Sequence, residues 1–312
     1  MNTTMNATQP SSSISNPEKI RKTFAYCLIF LVSLAGNTVI GIIVYKTKTM
    51  RKPINFLIVN MAISDLLLPI FLIPPKIQEL YIDSWLIGGP LGQALCKLVI
   101  FLADVSTIVS IQSLVLIEVD RFGAVVFPLR SPIISSKLCP FFILTTWIIA
   151  MAVQSPGLVA VKLVDYHGRL ACRVRWNEAF GEYFVVENYF ASHVIVFCFI
   201  PLVIIAIIYI IIYLKLKSHK IPGEQSVNAG QQRQQRERNV LKMAIAIVVG
   251  FAVCWLPLSI TWLLYSFTSN GFQYFFSVQV AIVIARANCA TNPCICFLFS
   301  RSYREGLKTL FK

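Results

Sequence analysis

Residues 194–212 read VIVFCFIPLVIIAIIYIII, a run composed almost entirely of Ile, Val, Phe and Leu. A helix needs about 20 mostly apolar residues to cross the hydrocarbon core of a bilayer. This run therefore predicts a membrane-spanning helix within residues 189–214. Six further apolar segments of similar length lie at residues 24–45, 54–75, 95–117, 138–161, 240–266 and 272–299. Together the seven segments predict an all-α membrane protein, a seven-transmembrane helix bundle.

The composition of the whole chain supports this interpretation. Of the 312 residues, 56% are hydrophobic and only 13% are charged, whereas soluble domains carry about 25% charged residues. The intervals between the apolar segments are too short to hold another domain. We therefore expect one transmembrane domain over residues 24–299, between a polar segment 1–23 and a short segment 300–312.

The charges of the connecting loops predict the orientation of the bundle in the plasma membrane. Most Lys and Arg residues fall in the loops on the side of the C-terminus, and such loops are normally cytoplasmic. The N-terminus is then extracellular, where the sequons at Asn2 and Asn6 become glycosylation sites. Residues 1–20 lack the apolar core of a cleavable signal peptide. Anionic inner-leaflet lipid and a cytoplasmic partner explain the net charge of +14, so nucleic acid is not expected as a partner.

Two of the nine cysteines lie at the predicted outer face. Cys96 opens the third segment and Cys172 lies in the longest outer loop. Two thiols on the oxidising side favour a disulfide that ties this loop to the third helix. Residues 162–175 alternate apolar and polar side chains about a His167-Gly168-Arg169 turn, which predicts a β-hairpin in the same loop.

Polar residues inside apolar segments are costly, so each needs a partner or a function. In chain order the segments carry Gly36-Asn37, Asn60 and Asp65, Ser110 and Asp120-Arg121-Phe122, Trp147, Pro201 and Tyr209, Phe251 with Cys254-Trp255-Leu256-Pro257, and Asn288 with Asn292-Pro293. This ordered set covers residues 24–312 and resembles the rhodopsin-like (class A) family of G-protein-coupled receptors. Cys96 also lies 25 residues before Arg121, the spacing of that family's helix-three disulfide cysteine.

The resemblance implies a cation site in the middle of the bundle. In the family a sodium- and water-filled pocket collapses on activation, and its positions are here Asn37, Asp65, Ser110, Asn288 and Asn292. Oxygen ligands around the Asp65 carboxylate suit a hard cation. An allosteric sodium ion is therefore the one metal expected, and no other cofactor is. A purely structural hydrogen-bond cluster is the alternative.

The resemblance also assigns the activation machinery. Arg121, next to Asp120, matches the arginine that an acid on helix six, here Glu237, holds in the resting state. Breaking that pair lets helix six move outward and admit a heterotrimeric G protein, with Tyr209 as the helix-five residue of the coupling site. The remaining switch positions lie below or beside the ligand pocket and are Pro201, Ile111, Phe251, Trp255 and Pro257. A proline there kinks its helix because it removes a backbone donor.

Two positions restrict the ligand. Amine receptors carry an acid on helix three where this chain has Ala103, with Asp104 next to it. Opsins carry a lysine for the Schiff base where this chain has Arg286, so neither class is expected. Asp104 and Arg286 either form an ion pair or contact a charged ligand. The expected ligand-binding residues are Asp104, Gln78, His193, Trp255 and Arg286.

Several outer features fit the peptide branch of the family. They are the hairpin, Pro74-Pro75 and Trp85, while residues 50–67 resemble the receptors for neuropeptide FF, orexin and galanin. We therefore expect a receptor that binds an extracellular neuropeptide and activates G proteins. A lipid or small-molecule receptor of the same family, or an orphan that acts through basal coupling, is the alternative. The chain shows neither the paired repeats of a transporter nor histidines placed for an enzyme.

The predicted cytoplasmic side offers further contacts. Residues 301–312 place apolar side chains among Arg and Lys, the pattern of an amphipathic eighth helix that lies on membrane lipid. Thr309 is the only hydroxyl-bearing residue beyond Tyr303. Recruitment of arrestin is therefore expected to depend on Ser218 and Ser226 in the third inner loop.

Phe122 and Cys296 depart from the family pattern. The family most often has tyrosine after the Asp-Arg pair, where this chain has Phe122. It also has a helix-seven tyrosine, here Cys296, that joins a water bridge to the helix-five tyrosine in the active state. A thiol is a weak donor, so we expect the active state to be less stabilised and basal activity to be low.

A Cys296→Tyr variant should therefore raise basal and agonist-driven signalling, because the hydroxyl restores a strong donor opposite Tyr209. The measurement is a G-protein reporter in transfected cells at matched surface expression. Signalling equal to that of the wild type in both conditions would contradict the hypothesis.

Overall fold

The computed structural model describes residues 15–127, 133–166, 168–181, 186–218, 242, 245–261, 264 and 271–310. The first four helices are α1 (Asn16–Lys46), α2 (Pro53–Ile82), α3 (Gly89–Val126) and α4 (Cys139–Ala160). Strands β1 (Val161–Tyr166) and β2 (Arg169–Val174) follow, and then a short helix, Trp176–Phe180. Helix α5 covers residues 186–218 and α6 is Ile245–Thr261. Helix α7 has two parts, Gly271–Arg286 and Asn288–Phe299, and α8 is Arg301–Leu310.

The helices account for all seven predicted segments and confirm the predicted fold class. Helices α1 to α5 are long and apolar enough to cross a membrane, and the two parts of α7, bent by 44°, make a sixth span when taken together. Within the described residues α6 is shorter than its predicted segment 240–266. Large apolar side chains that are more than half exposed, among them Leu144, Val203 and Val253, cover the outer faces of the helices. Such faces suit contact with lipid tails rather than water.

Helix α1 begins earlier than the apolar pattern predicts. It starts at Asn16, so its first turns extend into the predicted segment 1–23. Pro17 stands in the first turn, where its missing N–H costs nothing, and Lys22 forms an ion pair with Glu18 at 2.8 Å. Hydropathy detects only the apolar part of a helix, and therefore it missed these polar turns.

Helix α3 occupies the centre of the bundle, where it packs against α2, α4 and α5. Asn60 of α2 joins three of these helices. Its Nδ2 donates to the hydroxyls of Ser113 on α3 at 2.9 Å and Thr146 on α4 at 3.3 Å, while its Oδ1 accepts from Trp147 Nε1 at 2.8 Å. In an apolar medium water cannot pair with a polar group that lacks a partner in the protein. This network therefore fixes how the three helices are rotated about their axes relative to each other.

Prolines inside the helices leave backbone carbonyls without their helical donor. Pro69 has no N–H for the carbonyl of Asp65, and the Ser33 hydroxyl of α1 donates to that oxygen at 3.2 Å. Pro293 likewise has no N–H for the carbonyl of Cys289, and Asn37 Nδ2 donates to that oxygen at 2.9 Å. Both freed carbonyls are therefore paired by side chains of α1.

Two more departures from regular helix lie near prolines. Helix α5 contains a π-helical turn, Ile195–Phe199, two residues before Pro201. In α4, Pro156 frees the carbonyl of Ala152, which accepts from the Ser155 hydroxyl at 2.8 Å. Such turns and side-chain donors re-pair the backbone where a regular ladder is broken.

The predicted hairpin and disulfide are both present at one end of the bundle. Strands β1 and β2 pair antiparallel, with Leu163 opposite Cys172, and Cys172 forms a disulfide with Cys96 of α3. Gly168 adopts a φ of +80° in the turn, where its N–H donates to Asp165 Oδ1 at 2.8 Å. We refer to this end as the hairpin end and to the other as the α8 end.

The predicted amphipathic eighth helix is also present. In α8 the Tyr303 side chain is buried in the same apolar cluster as Ile43 of α1. Gly306 lies directly against Ile43, since a Cβ built on it would be 2.5 Å from Ile43 Cγ2. The helix therefore packs its apolar face onto the end of α1.

The contact between α1 and α7 can be tested at a glycine. A Cβ on Gly36 would lie 2.6 Å from the Pro293 Cβ, whereas one on Gly41 of the same helix would meet nothing within 4 Å. We expect Gly36→Ala to lower the free energy of unfolding by about 1–3 kcal/mol, because a rigid ring must be displaced. Gly41→Ala, the matched control, should leave it unchanged or raise it by up to about 1 kcal/mol. Equal thermal midpoints of the two purified variants would contradict this packing.

Candidate functional site

A cavity of about 320 Å³ opens between the helices at the hairpin end. Residues of α3, α4, α5, α6 and α7 line it. Val161 and Val174, the first and last residues of the hairpin, pair with each other and also line it. Because Cys172 is bonded to Cys96, the hairpin is anchored beside the cavity. Of the five predicted ligand-binding residues, four line it: Asp104, His193, Trp255 and Arg286.

Aromatic rings form one wall of this cavity. His193 lies between Tyr189 and Phe197 on α5, with ring centroids 4.7 and 5.2 Å away. Its Nε2 is 3.1 Å from Gln154 Nε2 of α4, and Tyr189 packs on Trp176 at 4.4 Å. This wall can hold an aromatic or planar group of a ligand by stacking.

The two charged residues of the cavity form no close ion pair with each other. The Arg286 guanidinium donates to the Tyr26 hydroxyl of α1 and lies over that ring, with Cζ 5.4 Å from the centroid. Asp104 is exposed to the cavity and has no close ion pair or hydrogen bond within the described residues. The guanidinium contacts Tyr26, but its charge also acts on the Asp104 carboxyl, so both predicted arrangements, an ion pair or contact with a charged ligand, stay predictions.

Gln78 does not line this cavity. It lies at a smaller one, of about 60 Å³, between the end of α2 and the hairpin, together with Trp85 and Arg173. Its Nε2 donates to the Ser84 carbonyl at 2.8 Å. That bond belongs to the connection between α2 and α3, and it directs the Gln78 side chain away from the cavity that the other four residues share.

Ion pairs also hold the region around the hairpin. Lys162 of β1 donates to Glu178 Oε2 at 3.0 Å, and this contact holds the pKa of the Glu178 carboxyl below its usual range. Arg169 of β2 pairs with Asp83 at 2.8 Å. Exposed pairs of this kind contribute little to stability, so the disulfide is the stronger anchor of the hairpin.

Polar side chains meet in the middle of the bundle around Asp65. Asn292 Nδ2 of α7 donates to Asp65 Oδ2 at 2.8 Å, and Ser110 of α3 lies beside the same carboxylate. Asn37 does not bond to Asp65, because its amide donates to the carbonyls of Ser33 and Cys289. The structure therefore brings three of the five predicted sodium-pocket residues into direct proximity.

The other two predicted sodium-pocket residues each have an amide oxygen without a partner in the described part of the chain. Asn37 Oδ1 and Asn288 Oδ1 are buried and accept no hydrogen bond within the described residues. The residue that sequence reasoning missed here is Ser33, which donates to the Asp65 carbonyl. A hydroxyl on α1, one turn before Asn37, is the signal that could have identified it.

The predicted switch residues lie between the cavity and the core of the bundle. Ile111 and Phe251 belong to one apolar cluster, and Pro201 is also buried. Trp255 stacks on Phe251 with centroids 6.2 Å apart and also lines the cavity. Its Nε1 is buried without a partner within the described residues. Trp255 thus contacts both the cavity and the core, and Ile111 and Cys198 of the core also line the cavity.

Cys296 and Pro257, the other two switch positions, lie on α7 and α6. The Cys296 side chain is completely buried in the same cluster as Tyr303. A tyrosine at this position must displace its neighbours, so the Cys296→Tyr test depends on its surface-expression control. The Pro257 carbonyl accepts from the Thr261 hydroxyl one turn later.

The α8 end brings Asp120, Arg121 and Tyr209 together with a residue that the motif analysis missed. The Arg121 guanidinium is 3.8 Å from Asp120, and its Nε has no partner within the described residues. The Tyr209 hydroxyl donates to Glu118 Oε2 at 2.7 Å. Glu118 directly follows the predicted segment 95–117, and an acid at the end of a membrane-spanning helix is a signal that could have identified it from the sequence.

Some predicted positions lie outside the described residues. They are the sequons Asn2 and Asn6, the acid Glu237 on helix six, and Ser226; of Ser218 only the backbone is described. The glycosylation sites, the resting ion pair of Arg121 with Glu237 and the arrestin-related serines therefore stay predictions.

Comparison with known proteins agrees with this arrangement. The family described as 7 transmembrane receptor (rhodopsin family) matches residues 36–295. The RYamide receptor of Drosophila melanogaster is 30% identical over 296 residues, which are 91% of this chain and 62% of that receptor. The QRFP-like peptide receptor of Branchiostoma floridae is 29% identical, over 92% of this chain and 76% of the receptor. Neuropeptide FF receptor 1 of Rattus norvegicus is 30% identical over 305 residues, covering 92% and 69%.

Proposed function

The chain belongs to the rhodopsin family of seven-transmembrane receptors, and on that premise we propose that it binds an extracellular peptide and activates heterotrimeric G proteins. As a member of this family it is a multi-pass membrane receptor and not an enzyme. One observation carries the proposal of a peptide ligand: the cavity at the hairpin end presents Asp104, which has no hydrogen bond or close ion pair within the described residues, beside a wall of aromatic rings.

The chemistry of the cavity fits a basic and aromatic peptide. A carboxylate inside a bundle is stabilised when a cation pairs with it, and a guanidinium or ammonium group of a ligand would supply that cation to Asp104. The rings of Tyr189, His193 and Phe197 suit an aromatic side chain. The similar receptors are named for peptides, RYamide, QRFP-like peptide and neuropeptide FF, which supports the same ligand class.

Trp255 is the proposed link between ligand and G protein. A ligand that fills the cavity presses on the Trp255 ring, which stacks on Phe251 in the apolar cluster that contains Ile111. Repacking of this cluster would let α6 move outward at the α8 end, beside Arg121. We place the hairpin end outside the cell and the α8 end in the cytoplasm, because the loops at the α8 end carry most of the basic residues.

An allosteric sodium ion is a further part of the proposal. Sodium prefers several oxygen ligands, as other hard cations do. The Asp65 carboxylate, the Ser110 hydroxyl and the partnerless Oδ1 atoms of Asn37 and Asn288 would supply them. Bound there, the ion would offset the buried negative charge of Asp65 and stabilise the arrangement in which the pocket is open.

The proposal predicts a peptide response that depends on two residues. Cells that express the receptor, with reporters for Gs, Gi and Gq, are challenged with a library of amidated neuropeptides. Asp104→Asn should shift the effective peptide concentration upward by about tenfold or more, because a charge-assisted contact is lost. Arg121→Ala should abolish the response while peptide binding persists.

Glu178→Gln is the matched control, because it removes an exposed acid that lies outside the cavity. It should leave the effective concentration unchanged. A peptide response that Asp104→Asn leaves intact would contradict the assigned cation contact. Silence of the wild type toward every peptide, at verified surface expression, would contradict the peptide function itself.

The sodium proposal predicts a salt effect that depends on Asp65. Replacing sodium by choline at constant ionic strength should raise the affinity of the wild type for an activating peptide by about fivefold or more, because sodium favours the resting state. Asp65→Asn should lose this dependence, and the measurement is peptide binding to membranes. A variant as sensitive to sodium as the wild type would contradict the site.

A further inference from the structure

Glu118 is a buried acid that none of the assigned roles uses. It lies on α3 with its side chain completely buried, and its Oε2 accepts the Tyr209 hydroxyl of α5 at 2.7 Å. Its other oxygen, Oε1, has no hydrogen-bond partner within the described residues. One hydrogen bond is thus the only contact of this kind that the carboxylate makes there.

Packing alone does not explain an acid at this position. A carboxylate in the hydrocarbon region is costly, while an apolar side chain of similar size would fill the same space without that cost. A buried acid that keeps one oxygen unpaired is therefore more useful for a contact that has to break than for permanent stability. The bond to Tyr209 joins α3 and α5, two helices that pack along their length.

Arg121 provides a second reason to assign a function to Glu118. It follows Glu118 by three residues on α3, so the two side chains share one face of the helix. Its guanidinium is only loosely paired with Asp120, at 3.8 Å, and its Nε is buried without a partner in the described part of the chain. The negative charge of Glu118 attracts this guanidinium toward the interior of the bundle, away from a G protein.

We propose that Glu118 is a positioning residue that holds the receptor at rest, through its hydrogen bond to Tyr209 and its charge beside Arg121. The inference rests on the proposed G-protein function. It adds a restraint between α3 and α5 to the predicted pair of Arg121 with Glu237. Activation then requires Tyr209 to leave Glu118 as α5 and α6 rearrange.

The departure at Cys296 agrees with this role. In the family pattern the helix-five tyrosine is drawn toward a helix-seven tyrosine in the active state, and here a buried thiol replaces that partner. Tyr209 therefore loses a strong partner in the active state and gains a carboxylate in the arrangement described here. Both changes favour the resting state of the receptor over the active state.

The test uses the full-length receptor, purified and reconstituted in lipid vesicles with purified G proteins. Nucleotide exchange without peptide is measured for Glu118→Ala, Glu118→Gln, Tyr209→Phe and the double variant Glu118→Ala with Tyr209→Phe. Gln112→Ala is the matched control, because it removes another polar side chain of α3 outside this contact. Thermal unfolding of the same samples gives a second readout that does not involve the G protein.

We expect Glu118→Ala to raise the peptide-independent exchange rate by about tenfold, the effect of losing a charge-assisted hydrogen bond. Glu118→Gln should give a smaller rise, because its amide oxygen still accepts the Tyr209 hydroxyl. The double variant should not exceed Glu118→Ala, because Glu118→Ala already removes the bond that Tyr209→Phe removes. Gln112→Ala should leave the rate unchanged.

The inference is overturned if Glu118→Ala keeps the wild-type rate, or if the effects of Glu118→Ala and Tyr209→Phe multiply in the double variant. The proposed function fails in a different way. If no sample exchanges nucleotide but the two substitutions remain non-additive in thermal unfolding, the contact stands and the G-protein role does not. Additive shifts of the two substitutions in thermal unfolding would contradict the contact between Glu118 and Tyr209 itself.

Discussion

The constraint on which this structure depends is the absence of water from the hydrocarbon region, where every backbone carbonyl must be paired within the protein. Pro69 in α2 and Pro293 in α7 each leave one carbonyl without a helical donor. Ser33 and Asn37, on neighbouring turns of α1, donate to these two carbonyls. Gly36, between them in the chain, lets α1 approach Pro293 closely enough for this contact. Helix α1 therefore contacts both proline sites, on either side of the hydrogen bond between Asp65 and Asn292.

The same constraint separates structural from functional polar groups. Asn60 uses its amide nitrogen and oxygen to join α2, α3 and α4, so both atoms of the amide are already hydrogen-bonded within the protein. Three of the polar groups that lack a hydrogen-bond partner in the described residues lie where a receptor must respond. Asp104 faces the cavity, Trp255 Nε1 lies between cavity and core, and Glu118 Oε1 lies near Arg121. A ligand, or a movement of α6, can supply the missing partners of these groups.

The sequence predicted the helices, the hairpin, the disulfide and the amphipathic eighth helix, because each follows from local pattern or from the redox environment of two thiols. It failed where the answer depends on how helices are rotated against each other. That rotation brings Tyr26 to Arg286, and it turns Asn37 toward Cys289. Gln78 falls into a separate cavity for the same reason. Glu118 was detectable as an acid directly after an apolar segment, but its partner, Tyr209, is known only from the packing of α5.

The central claim is that paired polar groups such as Asn60 hold the bundle together, while the partnerless groups at the cavity and near Arg121 serve its function. The most direct measurement is the thermal unfolding of purified Asn60→Ala and Asp104→Asn variants beside the wild type. Asn60→Ala should lower the free energy of unfolding by about 1–3 kcal/mol for each buried group that it leaves unpaired. Asp104→Asn should change it by less than about 0.5 kcal/mol, because no bond is lost within the described protein. A loss of stability in Asp104→Asn equal to that in Asn60→Ala would contradict the account.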